Sequence, residues 1–221
     1  MKKSLSATFF IIGFATFTIY LILLFISNAR ISKEKRSHIT NSYPYQFYLD
    51  QSVFLRAVLY VMLGLSAFGL SLGESIYLYG FNAVYLNILS VAFPLALIAM
   101  VFSNFISLNH YRIHLALSAF SFFVYLSSAL LFAFTPLILG PVFSTGIKLP
   151  IFIIVGILGG ICFLAMFNPK LMDWAKMNRA EENGKVFYVK PKVNYYPLYE
   201  WIFLFFMVFT AFLMFLDLVI A

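Results

Sequence analysis

The sequence contains six long runs of apolar residues, separated by segments that hold most of its charges. A helix that crosses a bilayer needs about 20 consecutive, mostly apolar residues. These runs are continuous and show no alternation with period two, so they predict helices rather than the strands of a barrel. The predicted spans are Ala7–Ile26, Val53–Leu72, Ala83–Phe105, Leu115–Leu139, Ile151–Phe167 and Trp201–Ile220.

The composition excludes a soluble domain. Hydrophobic residues make up 63% of the 221 residues and charged residues only 10%, whereas soluble domains have about 45–50% apolar and about 25% charged residues. The 28 Phe and 14 Tyr residues exclude a disordered chain as well. We therefore expect an all-α fold, a polytopic membrane bundle of six transmembrane helices that forms a single domain over residues 1–221.

Two segments of the predicted bundle each allow two interpretations. The first span could be a signal peptide, but its apolar part is about 20 residues long, which favours a retained helix over a secretory segment of about 7–15 residues. The long, basic connection at residues 168–200 contains Asn183 and Gly184 ahead of an alternating run, a signal typical of a hairpin. Both a small two-stranded flap and a plain loop fit this pattern.

The basic residues favour one orientation in the membrane. Connections one, three and five meet at one end of the bundle, which we call the basic end. All of the 15 Lys and Arg residues lie there except Lys2, Lys3 and Lys148. Because basic loops are retained in the cytoplasm, we expect these loops inside the cell, both termini outside, and residence in the plasma membrane. Topology thus accounts for the net charge of +7, and we expect contact with anionic lipid headgroups but no nucleic-acid binding.

Small residues predict where the helices approach each other. Gly69 and Gly73 form a GxxxG pair, and so do Gly156 and Gly160. Such pairs let two helix backbones come close in lipid. Contacts within one chain and contacts between copies in a homo-oligomer both fit the pattern. Pro94 and Pro136, each within a predicted span, are expected to bend their helices.

Ionisable residues near the spans fall into two layers, and at membrane depth such residues are often functional. The layer at the basic end contains Arg56, His110, His114, Glu200 and, next to Glu200, Trp201. We expect Arg56, His114 and Glu200 to form a polar site in which His114 and Glu200 approach each other. The layer at the opposite end contains Glu74, Lys148 and Asp217.

Each of these residues also has a plainer interpretation. His110 and His114 are four apart and could bind a metal from one helix face, but the segment HYRIH lacks the Glu of HExxH and has no third ligand nearby, so we expect neither metal nor haem. Trp201 is typical of an interfacial anchor. Asp217 lies where a negative charge opposes the helix dipole, which leaves solvation or a partner such as Lys148.

These observations leave three functional hypotheses. The sequence has no nucleophile elbow and no phosphate-binding loop. The favoured hypothesis is therefore a non-enzymatic membrane protein that interacts with lipid or with a partner protein. The first alternative is a small transporter or channel with a polar path between helices. That path would run from the basic end to Asp217 through Asn87, Asn104 or the serines of the fourth span. The second is a membrane enzyme with a metal held by His110 and His114. Cys162 is expected to be a small buried apolar side chain.

Two segments resemble the DRAM-like (damage-regulated autophagy modulator) membrane proteins and their prokaryotic relatives. The segment HLALSAFSFFVYLSSALL begins with His114, and YEWIFLFFMVFTAFLMFLDLV contains Glu200, Trp201 and Asp217. The resemblance implies six helices and a non-enzymatic role in lipid organisation or membrane traffic, and it supplies no catalytic residues. It also implies cytoplasmic termini, the reverse of what the charges predict.

Overall fold

The computed structural model describes residues 2–31, 37–40, 42–48, 51–81, 83–106, 110–140, 148–169, 178–182, 185–189 and 195–220. Six of its helices are long and apolar enough to cross a membrane. The chain is therefore a multi-pass integral membrane protein built as a six-helix bundle, and the predicted fold class is confirmed.

Four of the spanning helices, α1, α2, α6 and α7, are longer than the apolar runs that predicted them, whereas α3 and α4 are slightly shorter. Two short helices accompany them. A 3₁₀ helix lies in the first connection, and α5 follows α4 directly. The bounds are α1 Lys2–Ala29, 3₁₀ helix Pro44–Tyr48, α2 Val53–Tyr79, α3 Val84–Ser103, α4 Tyr111–Ala133, α5 Thr135–Leu139, α6 Lys148–Met166 and α7 Tyr196–Ile220.

Local chemistry explains several of these boundaries. Ser52 caps α2 by accepting a hydrogen bond from the Leu55 backbone N–H at 3.2 Å. Helix α2 then continues to Tyr79, so Glu74 lies inside the helix and not in the connection where the sequence placed it. The predicted fourth span is interrupted, because Pro136 has no backbone N–H to continue a helix and suits the first turn of a new one, α5.

The helices pack largely in chain order. Helix α1 packs against α2, α2 against α3, α3 against α4, and α4 against α6, while α7 contacts α1, α2 and α6 and so closes the bundle. The predicted glycine motifs lie at contacts within one chain. A Cβ atom at Gly69 would lie 2.7 Å from the backbone nitrogen of Gly13, and one at Gly156 would lie 2.5 Å from the Cβ atom of Ala133.

A β-hairpin lies in the long fifth connection. Strand β1, Asn178–Glu182, pairs antiparallel with β2, Lys185–Val189, and Glu182 lies opposite Lys185. The turn residues Asn183 and Gly184 that suggested a hairpin lie outside the described residues.

Candidate functional site at the basic end

The centre of the site is a contact between α4 and α7. His114 lies in the first turn of α4 and Glu200 in the first turns of α7, so both helices begin at the basic end with an ionisable side chain. The His114 Nε2 and Glu200 Oε1 atoms are 2.9 Å apart. His114 is 2% exposed and Glu200 is fully buried. The predicted approach of these two side chains is present.

A third helix determines the tautomer of the histidine. The Nδ1 atom of His114 lies 2.7 Å from the backbone carbonyl oxygen of Ser103, at the end of α3. A carbonyl oxygen can only accept, so Nδ1 carries a proton and donates it. The contact with Glu200 then holds one further proton, placed on Nε2 or on Oε1. The pair therefore ties α3, α4 and α7 together through two directed hydrogen bonds.

An aromatic segment from the first connection covers this pair. We call residues 42–48 the aromatic cover. The rings of Tyr43 and Tyr45 lie against the His114 ring at centroid distances of 5.2 and 5.5 Å. The indole N–H of Trp201 donates to the Ser42 carbonyl oxygen at 3.1 Å. Water is thereby excluded from the contact between His114 and Glu200.

The far end of the aromatic cover is held by a contact between two tyrosines. The Tyr48 hydroxyl is hydrogen-bonded to the Tyr20 hydroxyl of α1. Burial, and to a lesser extent the neighbouring Tyr20, raises the pKa of Tyr48 well above its usual range. The Tyr48 phenol is therefore neutral at physiological pH, as its buried position requires.

Beneath the pair, the serines of α4 face the interior of the bundle. The Ser118 hydroxyl lies 2.8 Å from the Tyr196 hydroxyl, and Ser121 donates to the Ala96 carbonyl oxygen of α3 at 2.7 Å. Aromatic rings fill the next layer, with Phe122 against Phe203 at 4.5 Å between centroids. Ser118 and Ser121 are thus bonded to neighbouring helices, and a packed aromatic layer follows them.

Three residues predicted for this site have other positions or roles. Arg56 is half-buried on α2 near Tyr60, and among the described residues the salt bridge of Glu200 is with His114 alone. His110 is exposed and precedes α4, so it does not share the buried position of His114. Trp201 is only 1% exposed. The interpretation of Trp201 as an interfacial anchor was therefore wrong, because its ring packs inside the bundle.

The second predicted layer is divided between two depths. Glu74 is fully buried and lies 3.2 Å from the Tyr125 hydroxyl, which is also 3.1 Å from the Met207 carbonyl oxygen. Asp217 is 3% exposed and accepts a hydrogen bond from the Tyr77 hydroxyl at 3.0 Å. Of the two alternatives left open for Asp217, its burial favours a partner over solvation, and the hydrogen-bond partner is Tyr77 of α2.

The aromatic cover is the part of the site that sequence reasoning missed. Its residues lie in the first of the basic connections, yet Tyr43, Pro44, Tyr45, Phe47 and Tyr48 are all buried. The signal was the run YPYQFY, since so many aromatic residues in a loop need a surface on which to pack.

The described residues offer no site for a metal ion or a disulfide. Within the described ranges, no group of three His, Cys, Asp or Glu side chains could hold a metal ion. Cys162 is buried and is a free cysteine. Comparisons with family models, curated proteins and solved structures find no match for this chain.

Proposed function

We propose that the protein is a non-enzymatic membrane protein that binds a phospholipid along the outer side of α7. The observation that carries this proposal is an apolar groove of about 650 Å³ between α1 and α6, with α7 as its floor. The groove is lined by Phe14, Leu158, Cys162, Ile202, Phe205, Phe206, Val208, Phe209 and Phe212.

The groove has the shape and the chemistry that an acyl chain needs. Along α7, residues 202, 205, 209 and 212 follow one stripe of the helix and are 39–48% exposed. Because most of these side chains are rigid phenylalanines, they lose little conformational freedom when a ligand binds. The volume of the groove lies within the range of about 300–1,000 Å³ that is usual for ligand sites. A concave apolar surface that opens to the bilayer favours a lipid chain over a soluble ligand.

Charge supports the same proposal. The basic connections would lie at the cytoplasmic leaflet, where each Lys or Arg contributes about 1 kcal/mol to attraction by anionic headgroups. The resemblance to DRAM-like proteins also suggests a role in lipid organisation. On this proposal the protein resides in the plasma membrane with both termini outside, and cysteine labelling of substituted loop positions tests that orientation.

Lipid retention is the direct experiment. The protein is purified in mild detergent, and bound phospholipids are counted by native mass spectrometry. Leu158→Trp should fill the groove and lower the number of retained phospholipids at least severalfold. The matched control is Ile157→Trp, because Ile157 is the neighbouring residue of α6, is 59% exposed and does not line the groove. Equal lipid retention by the two variants would refute the groove as the binding site.

A second candidate function, a small proton-coupled transporter, is favoured by a different observation. Glu74, Tyr125 and Thr210 are fully buried, and the Tyr125 hydroxyl lies 3.1 Å from the carbonyl oxygen of Met207, near the middle of α7. Buried carboxyl groups in membrane proteins often mark proton pathways. The packed ring of Phe93, 4.7 Å from the Tyr125 ring, closes such a path in this conformation. Proton flux into liposomes that disappears in Glu74→Gln would favour this candidate over lipid binding alone.

A further inference from the structure

A small polar cavity lies at the end of the bundle opposite the basic end. Its volume is about 180 Å³, and it lies where α1, α2, α6 and α7 meet. Three of its charged side chains come from three different helices, Lys3 of α1, Lys148 of α6 and Asp217 of α7, and the Tyr77 hydroxyl of α2 adds a fourth polar group. We call it the end cavity.

We propose that the end cavity binds the zwitterionic headgroup of a phospholipid, with the phosphate at Lys3 and Lys148 and the ammonium group at Asp217. This inference rests on the proposed lipid binding, and it names the class of lipid. The same three helices, α1, α6 and α7, border the apolar groove and the end cavity.

The surroundings of Asp217 indicate a cationic ligand. It is 3% exposed, and its Oδ2 atom accepts a hydrogen bond from the Tyr77 hydroxyl. Its Oδ1 atom is buried and has no hydrogen-bond partner among the described residues. A buried carboxylate oxygen without a donor is costly, and an ammonium group of a ligand supplies both the donor and the opposite charge.

The helix dipoles at the end cavity have the same signs as the charged side chains that lie there. Lys3 and Lys148 lie in the first turns of α1 and α6, and Asp217 lies in the last turn of α7. Positive charge at a helix N-terminus and negative charge at a C-terminus both oppose the helix dipole. Helix stability therefore does not explain these three residues. The helix ends reinforce the charges of these side chains, so the cavity is lined by positive groups from α1 and α6 and by a negative group from α7, and both signs of a zwitterion find a counterpart.

The depth of the end cavity also fits a headgroup. All four helices contribute residues from a terminal turn, so the cavity lies at the ends of the spans and not at mid-membrane. By sequence, Lys3 and Lys148 are two of the three basic residues at this end. The phosphate and ammonium groups of phospholipids occupy this interfacial level. The cavity is large enough for a headgroup but small for an entire lipid.

Competition between lipids with the same acyl chains tests the inference. Native mass spectrometry of the purified protein would compare phosphatidylethanolamine, phosphatidylglycerol and diacylglycerol. Phosphatidylethanolamine should bind about fivefold more tightly than phosphatidylglycerol, which corresponds to about 1 kcal/mol for one added charge contact. Both phospholipids should bind more tightly than diacylglycerol, which has no phosphate.

Three variants separate the two halves of the end cavity. Asp217→Asn should lower the preference for phosphatidylethanolamine over phosphatidylglycerol to about one. Lys148→Gln and Lys3→Gln should lower the binding of both phospholipids relative to diacylglycerol. Lys3 is exposed, so its variant preserves the fold even if Lys148→Gln unfolds. Gly64→Ala, which changes no charge and places a methyl group where nothing lies within 4 Å, is the control and should leave all ratios unchanged.

Each outcome decides one question. Equal binding of the two phospholipids by the natural protein, or equal losses in Asp217→Asn, would overturn the headgroup assignment while total lipid retention still supported the groove. No retained lipid at all would overturn the proposed function itself. Displacement of the lipid by stoichiometric soluble phosphoethanolamine would show that the cavity serves a free phosphate ester and not a lipid.

Discussion

The contact between His114 and Glu200 makes an asymmetric prediction about stability. In Glu200→Leu, His114 remains neutral with Nδ1 still bonded to the Ser103 carbonyl oxygen, and only Nε2 loses its partner, at a cost of about 1–3 kcal/mol. In His114→Leu, a fully buried carboxyl group loses its partner, at about 3–5 kcal/mol. The histidine variant should therefore be the less stable of the two.

Two further variants make this prediction specific. Glu200→Gln can donate an amide hydrogen to Nε2 of neutral His114, so it should cost about 1 kcal/mol or less. The double variant His114→Leu/Glu200→Leu removes both partners and should be more stable than the sum of the single changes implies, by about 0.5–3 kcal/mol. Replacing a buried pair by apolar groups is usually less harmful than removing one member.

The assay is thermal unfolding in detergent, followed by tryptophan fluorescence. For a chain of this size, each kcal/mol changes the Tm by about 2–4 °C, so His114→Leu should lower the Tm by roughly 10 °C. If Glu200→Gln lowered the Tm as much as Glu200→Leu does, or if the two leucine changes were additive, the hydrogen-bonded pair would not stabilise the bundle.

Three other predictions concern helix contact, the aromatic cover and pH. Gly69→Ala should destabilise the bundle by about 1–3 kcal/mol, because its methyl group would lie 2.7 Å from a backbone nitrogen of α1, whereas Gly64→Ala, which meets nothing within 4 Å, should not lower the Tm. Trp201→Phe removes the hydrogen bond to the Ser42 carbonyl oxygen and should accelerate proteolytic cleavage within residues 42–48; an unchanged cleavage rate would contradict this role. Because the pKa of Tyr48 is raised in the folded chain, the native state retains this proton longer than the unfolded chain, so the free energy of unfolding should fall as the pH rises above about 10. Tyr48→Phe should flatten that slope, and equal slopes in the two proteins would count against it.

The approach of His114 to Glu200 could be predicted because it depends on counting spans. Each crossing reverses the end at which the next polar residue lies, so the residues that begin the fourth and sixth spans share one end. The same counting placed Arg56 and His110 at this level, yet neither contributes to the buried contact. Depth in the membrane was predictable for these residues, but direction around the helix was not.

The aromatic cover and the burial of Asp217 depend on contacts between distant segments. Trp201 reaches Ser42 across 159 positions of the chain, and Asp217 reaches Tyr77 across 140. No local pattern in the sequence encodes such pairs. Considered alone, Trp201 suggested an interfacial anchor, and Asp217 suggested either a solvated carboxylate or a partner such as Lys148.

By itself, the sequence determined the number of spans and the end of the bundle at which His114 and Glu200 lie. These properties follow from the length of each apolar run and from the cost of exposing backbone polar groups to lipid. The tertiary structure alone decided which polar side chains face the interior. Each spanning helix carries apolar residues around its whole circumference, so no clear amphipathic pattern marks an inner face. The rotation of each helix about its own axis is therefore set by packing against its neighbours.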